Sequence, residues 1–199
     1  KNINNNVAST YIKPYGGFYE HFYKTVNPNT NFGTHVTQNY FENVIENSAL
    51  FISYIGHSAI STWDNGIYDI TQLNSKKNLY PIIIDFGCST GKFGEPDILS
   101  FSEIATCKIN AKAIAYIGNS SLGYTSTAYT APNFWFNLNI GNPGKSIGEM
   151  HLLTKNSIVN TYSNSGSYLL YKLTNLLVGD PIVQVKLPEK ANYQFRQKI

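Results

Sequence analysis

Three short runs, ALFISYI (49–55), YPIIIDF (80–86) and AKAIAYIG (111–118), constrain this chain more than any other feature. Each is apolar almost without interruption, so each has to be covered on both faces, as strands of a parallel sheet are when helices pack above and below them. The intervening segments read as those helices. Thr34 is an N-cap for HVTQNYFENVIEN, where Val36, Tyr40, Phe41, Val44 and Ile45 fall at helical spacing. ILSFSEIATCK (98–108) places apolar residues at 98, 101, 104, 105 and 107, which predicts a helix over the sheet with Cys107 buried as a structural thiol. GKSIGEMHLLTKNSI predicts a helix from Ser146, and SGSYLLYKLTNLLVG (165–179) a further one. GDPIVQVKLP alternates Ile182, Val183, Val185 and Leu187 as a closing strand, with Asp180 fixing the turn before it.

Residues 1–33, rich in Asn, Gly and Tyr, read as an irregular leading segment, and 119–134 (NSSLGYTSTAYTAPNF) as a polar and aromatic loop. No internal repeat or linker divides the rest. At 199 residues the chain suits one domain, here 34–187, with 188–199 as an exit segment. The order of strands and helices predicts an α/β fold on a mainly parallel sheet.

With 42% hydrophobic and only 14% charged residues, the chain is neither disordered nor a long solvated helix array. Its net charge of +3 comes from scattered side chains, which argues against a nucleic-acid partner. No apolar run reaches the roughly 18 residues of a membrane span, and residues 1–20 lack the pattern of a signal peptide. The start at Lys1, without Met, leads us to expect a piece of a longer precursor. Two cysteines cannot build a disulfide framework or a four-Cys metal site. His21, His35 and His151 have no partners at ligand spacing, so neither zinc nor any cofactor is expected. GNPGKS (141–146) lacks the spacing of a phosphate loop and reads as a turn before a helix.

Ligands of an open parallel sheet collect outside the carboxyl ends of its strands. Those ends are 56–58, 87–93 and 118–125, so neighbouring strands would gather His57, Cys88 and the loop after Gly118 around one crevice. His57 and Cys88 each follow a Gly at the end of an apolar strand, a βα crossover apart. A thiolate attacks carbonyl carbon, and a nearby His can take the thiol proton and return it to a leaving amine. Trp63 and Asp64 would either border that crevice or serve as a packed aromatic and a turn residue.

FISYIGHSA followed by IIIDFGCSTGKF resembles the pattern of the gingipain-type cysteine peptidases of the caspase-like clan. The resemblance extends through C-x-x-G-x-F (Cys88, Gly91, Phe93), Glu103 in FSEIA, AIAYIGNSS, and LLVGDPIVQVKLP, over about residues 36–187. It implies a caspase-like three-layer sandwich, Cys88 as nucleophile, His57 as general acid and base, and the backbone amides of Ser58 and Cys88 as oxyanion donors. It also implies a pocket for the side chain preceding the scissile bond, formed by Ile55, Phe86, Tyr124 and Thr125. The family usually has Gly after the His, where this chain has Ser58. Its His-orienting carboxylate lies well upstream, where this chain offers only Glu20, so we expect that group in the missing part of the precursor. From Ile104 to Gly148 there is no Asp or Glu to balance a basic substrate side chain. The resemblance thus predicts a secreted or bacterial surface endopeptidase acting on protein or peptide substrates and associated with its own precursor segment. Its alternatives are a surface-sorting transpeptidase and a catalytically silent caspase-like binding module.

Overall fold

The computed structural model describes residues 2–19, 21, 49–64, 80–142, 144–162 and 165–186. The expected helix at 34–47, Glu20, His35 and Leu187 lie outside them. Four strands form one sheet in the order β1 (Phe51–Tyr54), β4 (Ile82–Asp85), β5 (Ala115–Asn119), β6 (Asn175–Gly179). The first three are parallel, in register Phe51 to Ile82 and Ile82 to Ala115, and β6 runs antiparallel to β5 with Asn119 opposite Asn175. A two-stranded hairpin, β2 (Ser58–Ala59) and β3 (Thr62–Trp63), follows β1.

The side-chain period of two explains why the apolar runs are continuous. Ile82, Ile84 and Phe86 face one core, with Ala131, Trp135 and Phe136 of α3 (Thr125–Gly141), Ile147 and Ile158 of α4 (Ile147–Thr161) and Tyr171 of α5 (Gly166–Thr174). Ile83 faces a second core, with Ile52, Tyr54, Trp63, Tyr116 and the residues Phe101 and Ala105 of α2 (Phe101–Thr106). Helices on both faces of a mainly parallel sheet make the expected three-layer α/β sandwich.

Several local expectations give way to tertiary packing. The loop expected at 119–134 ends at Tyr124, and α3 runs from Thr125 through Pro132. Pro132 removes a helical hydrogen bond, but the helix buries Ala131, Trp135, Phe136 and Ile140. The helix expected over 165–179 stops at Thr174, because the apolar residues after it complete the sheet edge beside β5. The alternation at 182–187 makes no strand among the described residues, only a bridge from Gln184 to Ser146. Asp180 does fix the turn, its carboxylate accepting from the Ile182 N–H at 3.0 Å. Near the amino terminus, α1 (Asn2–Val7) continues into a π turn (Ala8–Ile12) and a 3-10 turn (Lys13–Tyr15) in place of irregular structure. Val7 and Ala8 are buried there, and Asn6 bonds Asn133 of α3 at 2.8 Å.

Helix α2 is shorter than 98–108. Ser100 caps it in a reciprocal box with Glu103, and it ends at Thr106. Cys107 therefore lies at the helix end, exposed to solvent, which overturns its expected burial. GNPGKS is a turn leading into α4, where Ser146 and Glu149 form the same reciprocal cap.

Candidate active site

The His loop is built by β1. Tyr54, buried and stacked on Trp63 at 4.3 Å, sends its hydroxyl to the His57 carbonyl. Asp64 N–H donates to the same carbonyl at 3.0 Å, closing the β2–β3 hairpin and leaving the His57 residue exposed. Antiparallel ladders alternate bonded and non-bonded pairs. With 57 and 64 bonded, the pair Ser58–Trp63 is the non-bonded one, so the Ser58 N–H points away from the hairpin. Trp63 is packed between Tyr54 and Phe101 and does not border a crevice.

Cys88 lies in the turn after β4 and is partly exposed. The Ser58 hydroxyl donates to its carbonyl at 2.8 Å, which joins the first strand exit to the second. A Cβ on Gly87 would overlap that hydroxyl and crowd Asp85 Oδ1, so a larger residue at 87 would force Ser58 out of this position. The third exit closes on the thiol itself: Gly123 N–H donates to Cys88 Sγ at 3.3 Å, and the Gly123 carbonyl lies 3.8 Å from it. Ser89 N–H donates to Ser121 O at 2.9 Å and Gly91 N–H to Asn119 O at 2.9 Å, binding the same two segments on either side. Ser89 adopts φ 60°, a left-handed conformation that non-glycine residues avoid, at the position following the cysteine.

Beneath this turn is Asp85, fully buried on the strand face opposite Ile84. Its Oδ1 accepts from Gly87 N–H at 2.6 Å, and its Oδ2 from Trp63 Nε1 at 2.6 Å, Thr90 Oγ1 at 2.7 Å and the Tyr116 hydroxyl. Burial pushes the Asp85 carboxyl up, while its donors pull it back; burial and the Asp85 charge raise Tyr116. Because all four partners donate, the carboxylate is the form they serve. Asn119, 2% exposed at the end of β5, donates to the Gly87 carbonyl at 2.7 Å and accepts from Asn175 at 2.7 Å.

Of the four residues expected to line a pocket, Tyr124 (38% exposed) and Thr125 open α3 at the rim of the third exit. Ile55 is half-buried, packed against the first core. Phe86 is 3% exposed and belongs to that core, so its side chain is beneath the surface. Sequence reasoning missed Asp85, Asn119 and Gly123. An acidic residue inside a strand whose every position is buried is a signal that points to the first; the other two carry none without the fold. Among the described residues, no group of three or more His, Cys, Asp or Glu is placed to hold a metal ion, and no helix is long and apolar enough to cross a membrane.

A parallel sheet whose successive strand ends carry a His loop, a Cys turn and a loop closing on the thiol defines a cysteine-peptidase class of fold, caspase-like in its layers. Within that class the chain belongs to peptidase family C25, whose family model matches residues 2–186. No curated protein sequence matches it. Among solved structures it is similar to the Arg-specific cysteine proteinase gingipain R (RgpB), at 20% identity and a TM-score of 0.74 over 94% of this chain. It is also similar to the complex of Porphyromonas gingivalis RgpB pro- and mature domains, at 18% identity and a TM-score of 0.73, again over 94%. The chain spans 43% and 44% of those two chains.

Proposed function

We propose that this chain carries the nucleophile of a cysteine endopeptidase. Cys88 Sγ attacks the scissile carbonyl carbon as His57 takes the thiol proton. The C–N bond then breaks, His57 returns the proton to the departing amine, and water hydrolyses the thioester. The carbonyl oxygen, negative in the tetrahedral intermediate, is held by the N–H groups of Ser58 and Cys88. The observation that carries this reading is the convergence of three strand exits on Cys88: the Ser58 hydroxyl on its carbonyl and the Gly123 amide on its sulfur. With its hydroxyl engaged inward and its N–H turned away from the hairpin, Ser58 supplies the amide that Gly supplies elsewhere in the family. This supports an active enzyme over a silent module.

Ile55, Tyr124 and Thr125 are the walls of the pocket for the residue before the scissile bond, with Phe86 as its buried floor. The substrate is a protein or peptide, the setting extracellular or at a bacterial surface, and the partner an upstream segment of the precursor, by analogy with the RgpB pro–mature complex. A peptidyl acyloxymethyl ketone tests the reading. It should label Cys88 in the wild type and nothing in Cys88→Ala, and labelling should fall sharply in His57→Ala. Labelling that persists in Cys88→Ala would sink it.

A further inference from the structure

We infer that Asn119 and Asp85 are positioning residues that clamp the peptide before Cys88 and so aim the Cys88 N–H at the developing oxyanion. The inference rests on Cys88 acting as the nucleophile and adds the device that holds its amide. The chain has no cis peptide among the described residues, so the Gly87–Cys88 unit is trans, and its C=O and N–H point in opposite directions. Asn119 Nδ2 holds the Gly87 carbonyl inward at 2.7 Å. The Cys88 N–H on the far side of the same plane is thereby turned outward, and it makes no hydrogen bond among the described residues. Asp85 holds the other side of Gly87 by accepting its N–H at 2.6 Å, so both peptide planes flanking this glycine are pinned.

Neither clamp can swing away. The Asn119 Oδ1 is occupied by Asn175 Nδ2 at 2.7 Å, and the Asn175 carbonyl is in turn held by Lys155 Nζ at 2.7 Å and His151 Nε2 at 3.1 Å, both on α4. Asp85 is tied by three more donors from β3, the Cys turn and β5. Gly123 seals the site: a Cβ there would come within 2.8 Å of the Phe86 carbonyl and 2.9 Å of the Gly87 carbonyl. Gly87 O is thus covered by the third strand exit as well as bonded to Asn119. An oxyanion donor is useful only when oriented before the charge develops.

Two reactions of the same thiol separate this role from a general structural one. Acylation by a peptide p-nitrophenyl ester builds charge on the carbonyl oxygen, and its leaving group needs no proton from His57. Alkylation by iodoacetamide displaces iodide from carbon and forms no oxyanion. In Asn119→Ala, the acylation rate constant, read from the p-nitrophenolate burst, should fall about ten- to hundredfold with the substrate concentration for half-maximal burst rate little changed, a fraction of what losing such a donor costs. Alkylation at Cys88, followed on its peptide by mass spectrometry, should stay within about twofold, since no donor is used. Asn119→Asp keeps the shape but offers the Gly87 carbonyl no amide donor, and should show the same split if the alanine variant does not fold. Unchanged acylation, or equal loss of acylation and alkylation, would overturn the inference. A wild type whose acylation survives Cys88→Ala would instead overturn the peptidase reading beneath it.

Discussion

Asp85 shows how one side chain can organise a site it does not enter. Its two oxygens receive donors from the strand exit before Cys88, the turn after it, the hairpin after His57 and the neighbouring strand. In Asp85→Asn one oxygen becomes a donor, so at least one buried partner loses its acceptor whichever way the amide turns. The variant should lose about 2–4 kcal/mol in urea denaturation, and a loss under about 0.5 would mean that the network adds nothing to stability. The two cysteines differ at the same scale. Cys107, at the exposed end of α2, should react with iodoacetamide in the folded protein alongside Cys88, while the acyloxymethyl ketone should select Cys88 alone. Protection of Cys107 until denaturant is added would show that something covers it.

Among the elements, α4 and β6 carry the support of the site from behind. His151 is buried between them, and burial, with a smaller push from Lys155 and against its bond to the Asn175 carbonyl, lowers it to about 4. The unfolded chain takes up this proton near pH 6.5 and the folded one only near pH 4. In that interval the unfolded state binds more protons, so stability falls as pH falls and levels off below the folded value. The loss amounts to roughly 3 kcal/mol. Urea titrations at pH 7.5, 6 and 5 should show this limb in the wild type and a flatter one in His151→Gln. Parallel losses in both proteins would assign the acid sensitivity to other groups. The elements also show what periodicity misses: local pattern alone predicts a loop where α3 forms and a helix where β6 forms. Pro132 and the Ser/Thr-rich start hid the helix, and the apolar run after Thr174 fits either period until β5 stands beside it.

In the molecule as a whole, the pocket proposed above would draw on three strand exits that no single segment defines. The rim at Ile55, Tyr124 and Thr125 holds no carboxylate, so a peptide library should be cleaved after neutral side chains. A preference of tenfold or more for Arg or Lys would show a countercharge brought in from another part of the molecule. The sequence by itself determined the layers and the positions of the candidate residues along the chain. Three nearly continuous apolar runs read as parallel strands, although β1 lies at the edge of the described sheet with Ser53 exposed, and the placement of His57 and Cys88 after two of them follows from the order of the chain. Tertiary structure alone decided what holds those residues in place. Asn119 reaches Gly87 O, Asp85 reaches Trp63 and Tyr116, and Gly123 reaches Cys88 Sγ across separations of 22 to 35 residues. Cys107 likewise became exposed because α2 stops one residue before it. Local spacing records which face a residue occupies; whether another segment meets it there is settled only when the sheet brings its strand ends together.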